Sequence, residues 1–265
     1  VVPIEFCERC MGAEILTGRR ILLTRPRRQA EPLRREIEAR GGSVCLCPML
    51  EIVPVEAFLA AGWWEGYDWL VFVSANAVRF AVEAGLKSPA AKLAAIGKAT
   101  AEALEKNALP VACQAPPPYT SESLLAQPPF DHVDGQRILL VRGIGGRPML
   151  AQVLTGRGAQ VCCAELYRRQ PPRPETVARL RNCVEEGVDA LLITSAEALA
   201  NLQQAAGDLA VRLCSLPLVV ASVRLAGVAG RAGFSDVTTA SSAIDAEILA
   251  ALEKRLGGIR LKKTG

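Results

Sequence analysis

The sequence predicts an α/β protein made of two similar doubly wound domains, each a parallel sheet covered by helices. Three observations carry the prediction: an internal repeat, short apolar runs alternating with helical patterns, and a length of 265 residues, which suits two domains at ~100–200 residues each. Half of the residues are hydrophobic and 22% are charged, with a mean hydropathy of +0.22, so the chain can bury a core and is not disordered. Its 22 Gly and 17 Pro follow no period, which excludes a collagen-like fibre.

The repeat aligns the segment GRRILLTRPRRQAEPLRREIEARGGSVCLCPML from Gly18 with GQRILLVRGIGGRPMLAQVLTGRGAQVCCAELY from Gly135, without a gap. Eleven positions are identical: Gly18, Arg20, Ile21, Leu22, Leu23, Arg25, Leu33, Arg40, Gly41, Val44 and Cys45 match their partners, where chance composition gives roughly 2 to 3. A second echo pairs YDWLVFVSANAV from Tyr67 with VDALLITSAEAL from Val188, aligning Asp68 with Asp189 and Ser74 with Ser195. A third sets AAIGKATAEAL from Ala94 beside VVASVRLAGVA from Val219.

Each element has a local reason. Residues 21–24 form a short apolar run of the kind buried on both faces of a parallel sheet. Pro32 suits the first turn of the following helix, Leu33 and Ile37 fall one turn apart, and Gly41 and Gly42 end it. A strand resumes over 44–47, and the Pro-bearing segment 48–54 reads as an extended connector, as does 167–174. The run 69–73 is a strand leading into a helix capped by Ser74, and Ser195 takes the same place in the second half. Two layouts fit the repeat: a tandem cut in the Pro-rich stretch 116–134, or an exchange of the leading βαβ units between domains, which the connectors favour.

Composition narrows the function. No apolar run approaches the ~20 residues of a membrane-spanning helix, and the N-terminus has no basic segment followed by an apolar one, so the reading predicts a cytoplasmic protein. A net charge of +4 does not point to nucleic acid. Most of the nine cysteines sit in apolar strand-like runs and read as buried free thiols; Cys7 and Cys10 form a CxxC pair, but with His132 as the sole histidine a zinc site lacks its four ligands, and no metal is expected. The Gly-rich segment 142–147 lacks the full GxGxxG spacing and reads as a strand-to-helix turn. Small polar residues recur where strands end: Ser74, Asn76, Thr100, Thr194, Ser195 and Ser222. Each can serve as a helix cap. Together they predict helix N-termini facing a cleft and offering N–H groups to carboxylates or phosphates.

In order along residues 18–254, ILLTRPRRQA, PMLEIVP, YDWLVFVSANAV, AAIGKATAEAL, SESLL, ILLVRGIGGRPML, the GAQV strand leading to Tyr167, and LLITSAEAL follow one family's pattern. The sequence resembles the uroporphyrinogen-III synthase family. That resemblance implies two flavodoxin-like doubly wound parallel-sheet domains joined by two extended connectors, residues 1–50 with 168–265 forming one and 51–167 the other, with a substrate cleft between them. It implies a cofactor-independent lyase that takes the linear tetrapyrrole hydroxymethylbilane, supplied by hydroxymethylbilane synthase, removes water, and closes the ring with inversion of ring D in haem biosynthesis. It puts Tyr167 forward as general acid and Thr100 as a second catalytic residue, and Ser74, Ala75, Asn76, Lys98, Arg147, Ser195 and Ser222 as substrate-binding. Arg25 and Arg142 add charge at the cleft or serve each half's own fold. Val73 departs from the family's usual Thr, and the ASVRLAGVA segment offers Ser222 alone. The rival reading is a non-enzymatic two-domain ligand-binding or sensor protein, which duplicated lobes around a cleft also describe. A phosphate-handling enzyme is disfavoured because no GxxxxGK[ST] loop is present.

Overall fold

The computed structural model describes residues 15–55 and 60–260; the Cys7 and Cys10 pair lies outside them. In chain order the elements are β1 (Arg20–Leu23), α1 (Arg27–Ala39), β2 (Ser43–Leu46), β3 (Glu51–Pro54), β4 (Trp69–Phe72), α2 (Ala75–Glu83), β5 (Lys92–Ala95), α3 (Lys98–Lys106), β6 (Val111–Gln114), α4 (Ser121–Leu125), α5 (Pro128–Asp131), β7 (Arg137–Gly143) and α6 (Met149–Gly156). They continue with β8 (Gln160–Gln170), α7 (Pro174–Glu186), β9 (Ala190–Ile193), α8 (Ala196–Ala206), α9 (Ala210–Cys214), β10 (Leu218–Val220), α10 (Val223–Arg231), β11 (Val237–Thr239) and α11 (Asp245–Arg260). The chain divides into two compact units, one built from residues up to Glu51 and from Gln170 onward, the other from Ile52–Arg169.

The first unit holds a five-stranded sheet in the order β2-β1-β9-β10-β11, with every neighbour parallel. β9 is buried along its whole length and separates two apolar layers, as expected of a central strand covered on both faces. In the second unit the order is β3-β8-β7-β4-β5-β6, parallel from β8 to β6. Starting the count at β7, its five long-range strands run 2-1-3-4-5, the same order as the first sheet.

The internal repeat has a physical counterpart. Asp189 Oδ2 accepts the backbone N–H of Arg20 at 2.9 Å, and the equivalent Asp68 Oδ2 accepts that of Arg137 at 2.7 Å. In each unit a carboxylate at the head of the third strand thus fixes the start of the first. The helices α2 and α8 begin directly after Ser74 and Ser195. α3 and α10 begin four residues beyond the aligned Ala94 and Val219.

Several local expectations need correction. α1 starts at Arg27, so Pro32 lies inside it and not in its first turn. Pro32 is exposed, and the ladder bond it removes is lost on the solvent side. The buried face is Ala30, Leu33 and Ile37, and Gly41 follows the helix with φ +79°, the left-handed conformation that glycine adopts without penalty. The segments 48–54 and 167–174 are extended as expected and in addition carry sheet pairing: β3 joins the edge of the second sheet, and residues 167–170 extend β8. The free, buried thiol holds for Cys47 and fails for Cys45, which is disulfide-bonded to Cys183. Cys162 and Cys163 are exposed. They lie at the start of β8, which has β7 on one side there, while the bond from Val55 N–H to Leu166 O places β3 against the far end.

Arg25 is buried in the first unit. Its guanidinium pairs with Asp245, donates from Nε to Thr194 Oγ1 at 3.3 Å and from Nη2 to Ala243 O at 3.3 Å. It therefore ties the end of β1 to β9 and to the start of α11. Arg25→Ala leaves a carboxylate, a hydroxyl and a carbonyl without their donor, and a loss of about 2–4 kcal/mol in urea unfolding is expected. A loss under about 0.5 kcal/mol would mean that the pair contributes no more than a surface ion pair.

Candidate active site

In both sheets the loops that follow the parallel strands carry the polar residues, the place where open α/β sheets bind ligands. In the second unit they form a recess of about 340 Å³ lined by side chains from the ends of β4, β7 and β8 and from the loop before α4. β4 ends in Val73 and Ser74. Ser74 adopts extended backbone angles and accepts the N–H of Ala77 on its Oγ at 3.1 Å, which turns the chain into α2. Ala75 and Asn76 supply the first turn, whose N–H groups have no acceptor inside the helix.

Tyr167 comes from β8, and only 3% of it is exposed. Its hydroxyl lies 2.8 Å from Ser74 Oγ, and its ring stacks on Phe80 with centroids 5.4 Å apart and planes 16° from parallel. Gly143 ends β7 in register with Tyr167. A Cβ at Gly143 would stand 2.5 Å from Tyr167 Cε2 and 2.7 Å from Cζ, so the ring occupies space that any side chain would fill. The Ser74–Tyr167 hydrogen bond can carry its proton either way. With Ser74 donating, the phenolic proton is left for a ligand in the recess.

The recess is rich in guanidinium groups. Arg142 donates from Nε and Nη2 to Glu165 Oε1 at 3.1 and 2.9 Å, Arg147 reaches Glu122 at 3.3 Å while staying three-quarters exposed, and Arg169 lines the same space. Arg169 follows Tyr167 by two residues, and the two-residue period of a strand sends both side chains to one face. The Gly-rich segment read as a plain turn contributes Gly143, Ile144, Gly145 and Gly146 to the lining, where absent side chains leave the backbone open. Tyr119 also borders it, with φ +59°, a conformation uncommon for a residue with a side chain.

Sequence reasoning thus named Ser74, Tyr167, Arg142 and Arg147, all of which line the recess. It missed Tyr119, Arg169 and the glycine backbone. The spacing Tyr167, Arg169 was the signal for one of these; the left-handed Tyr119 had none. The remaining candidates stand elsewhere. Thr100 is in the first turn of α3, 3% exposed, and the lining reaches Ile96 without including it. Lys98 is exposed and faces Glu102 at 4.0 Å. Ser195 and Ser222 belong to the first unit and cap α8 and α10, accepting from Ala198 N–H at 3.1 Å and Leu225 N–H at 3.3 Å.

Comparison with known proteins places the chain in a family. A family model described as uroporphyrinogen-III synthase HemD matches residues 31–249. The chain belongs to the uroporphyrinogen-III synthase family. The uroporphyrinogen-III synthase of Salmonella typhimurium is 32% identical over 250 residues, covering 88% of this chain and 99% of that protein. Among solved structures, uroporphyrinogen-III synthetase from Helicobacter pylori superposes with a TM-score of 0.58 at 14% identity, covering 89% of this chain and 99% of that one. A mutant uroporphyrinogen III synthase from Thermus thermophilus gives 0.57 at 22% identity, covering 90% and 98%. These two likenesses speak to the fold. Among the described residues no helix is long and apolar enough to cross a membrane.

Gly143→Ala tests the close approach at the centre of the recess. The added methyl must displace the Tyr167 ring and break its contact with Ser74. A destabilisation of about 1–3 kcal/mol is expected, read by urea unfolding together with a change in tyrosine fluorescence. An Ala variant with unchanged stability and spectrum would show that Tyr167 is not held against β7.

Proposed function

We propose that the chain closes hydroxymethylbilane to uroporphyrinogen III, with loss of water and inversion of ring D, and that the Ser74–Tyr167 pair stands at the reacting end of the substrate. The observation that carries this reading is the buried phenol hydrogen-bonded to a helix-capping serine in an arginine- and glycine-lined recess, in a chain of this family. No cofactor is required by the chemistry. The departing group is a hydroxymethyl hydroxyl, and the cation left behind is stabilised by the pyrrole itself.

Tyr167 donates its proton to the leaving hydroxyl as the carbon–oxygen bond breaks, and water departs. Ser74, held by Ala77, fixes the position of the phenol. The substituted carbon of ring D then attacks the exocyclic carbon, giving the spiro intermediate whose rearrangement inverts that ring; the protein's share is to hold the chain so that this carbon is nearer than the unsubstituted one. At about 340 Å³ the recess lies at the small end of ligand sites, and it takes one end of the linear chain. Its arginines suit the carboxylate arms of the pyrroles, and the N–H groups of Ala75 and Asn76, outside the lining but next to Ser74 at the start of α2, are offered to a further arm. Thr100 as a second catalytic hydroxyl and Lys98 as a carboxylate partner, both in the first turn of α3 behind β5, complete the proposed set in this unit. Hydroxymethylbilane synthase is the supplier of the substrate in this reading.

The test is an assay on freshly generated hydroxymethylbilane, with products oxidised and the uroporphyrin isomers separated. Isomer III above the level without protein is expected; isomer I alone, with the protein folded, would overturn the enzyme and favour a ligand-binding role. Tyr167→Phe keeps the ring stacked on Phe80 and removes the proton donor. A fall in kcat of at least about tenfold with unchanged circular dichroism is expected, and wild-type turnover would remove Tyr167 from the mechanism. Arg147→Ala is expected to raise KM more than it lowers kcat.

A further inference from the structure

β2 carries Cys45, and Cys47 follows just past its end. The two-residue spacing turns both side chains to the same face of the sheet, into the core that holds Leu22 and Met49, while Leu46 between them joins the opposite layer. Cys183 arrives from the inward face of α7, beside Leu180 and Val184. Three sulfurs from two distant stretches of chain therefore meet. Cys45 and Cys183 are bonded, Cys47 Sγ lies 3.9 Å from Cys183 Sγ, and all three sulfur atoms fall within 4.8 Å of one another. The Arg20 guanidinium, which also pairs with Glu186, stands 3.9 Å from Cys45 Sγ.

We propose that Cys45, Cys47 and Cys183 form a thiol–disulfide exchange site in which Cys183 is shared between two alternative partners. The Cys47 thiolate attacks Cys183 Sγ, a Cys47–Cys183 bond forms, the Cys45–Cys183 bond breaks, and its electron pair leaves with Cys45 as a thiolate. The proton lost by Cys47 is taken up by Cys45 or by solvent, so one thiol and one disulfide stand on each side and no oxidant or reductant is consumed. Arg20 beside Cys45 favours the departing thiolate.

Burial decides which thiol can act. Exposure is 7% for Cys45, 0% for Cys47 and 4% for Cys183, so in the folded chain Cys47, 3.9 Å from Cys183 Sγ, competes with dissolved thiols from inside the core and needs a side-chain rotation to come into line with the Cys45–Cys183 bond. The same burial pushes the Cys47 thiol up to about 11, against the opposing pull of Arg179 and Arg20, and exchange gains speed as pH rises and the thiolate fraction grows. Either linkage joins the N-terminal and C-terminal stretches of the first unit across the whole of Ile52–Arg169. The covalent tie is thus independent of which strand cysteine holds it.

The test uses the full chain. Wild-type protein is held at mildly alkaline pH without reductant, then unfolded in acidic denaturant that halts exchange and exposes the buried thiols to alkylation, and the unreduced digest is fragmented to locate the label. Among these three cysteines, a shift of label from Cys47 alone to both Cys47 and Cys45 is expected. With oxidised glutathione present while the reduced chain refolds, Cys45→Ser is expected to retain a crosslink through Cys47–Cys183, Cys47→Ser to hold Cys45–Cys183 alone, and Cys183→Ser to lose both. Of the three, label confined to Cys47 in the wild type, or all three alkylated, would overturn the proposal. The wild-type experiment decides even where a variant fails to fold.

Discussion

The pairing of β1 with β9 is the constraint on which the first unit depends. Ile21 meets Ala190 and Leu23 meets Leu192 in parallel register, although the two strands lie on opposite sides of the entire second unit in the sequence. A parallel pair has no turn to set its register, so side chains must do so. Here Asp189 receives Arg20 N–H at one end, and Thr24 Oγ1 donates to Leu192 O at 2.9 Å near the other. The Arg25 guanidinium closes the far end against Thr194 and Asp245. The Cys45–Cys183 bond adds a covalent tie between the same two stretches.

The repeated architecture separates what serves folding from what serves chemistry. Asp68 and Asp189 perform the same task in both units, and so do the capping serines Ser74 and Ser195. The divergence lies behind the first strand of each repeat. After β1 the chain enters α1 at Arg27, and Arg25 is spent inside its own unit; after β7 it runs on through a glycine-rich loop before α6, and that loop lines the recess. The alignment that places Tyr167 in one repeat places Leu50 in the other. Both are buried, but only the tyrosine brings a hydroxyl to its serine.

Electrostatics and packing are divided in the recess. The Tyr167 ring is held by Phe80 and by the absence of a side chain at Gly143, which are packing constraints. The guanidinium groups around it are partly offset by Glu165 and Glu122. Arg142 is largely buried with Glu165, while Arg147 is exposed and its exposed pair contributes little to stability. The phenol is thus held by packing, while the Arg147 guanidinium is left facing solvent.

Much of this was legible in the sequence because it rests on local rules. Apolar runs bounded by glycine fixed the strands, a serine before an apolar helical pattern fixed the caps, and gapless identity revealed the duplicated βαβ unit. Tyr167 and Ser74 could be named individually, yet their 2.8 Å contact joins residues 93 apart and follows from the adjacency of β4, β7 and β8. The meeting of Cys45, Cys47 and Cys183 was hidden for the same reason, since nothing near Cys183 in sequence marks it as the partner of a strand cysteine on the other side of a complete unit. By itself the sequence determined which segments are strands and helices, and that they occur twice, because propensity, capping and periodicity act within a few residues. Tertiary structure alone decided which hydroxyls, guanidinium groups and sulfurs share a space, because parallel sheets place side by side strands that the chain reaches only after long crossovers.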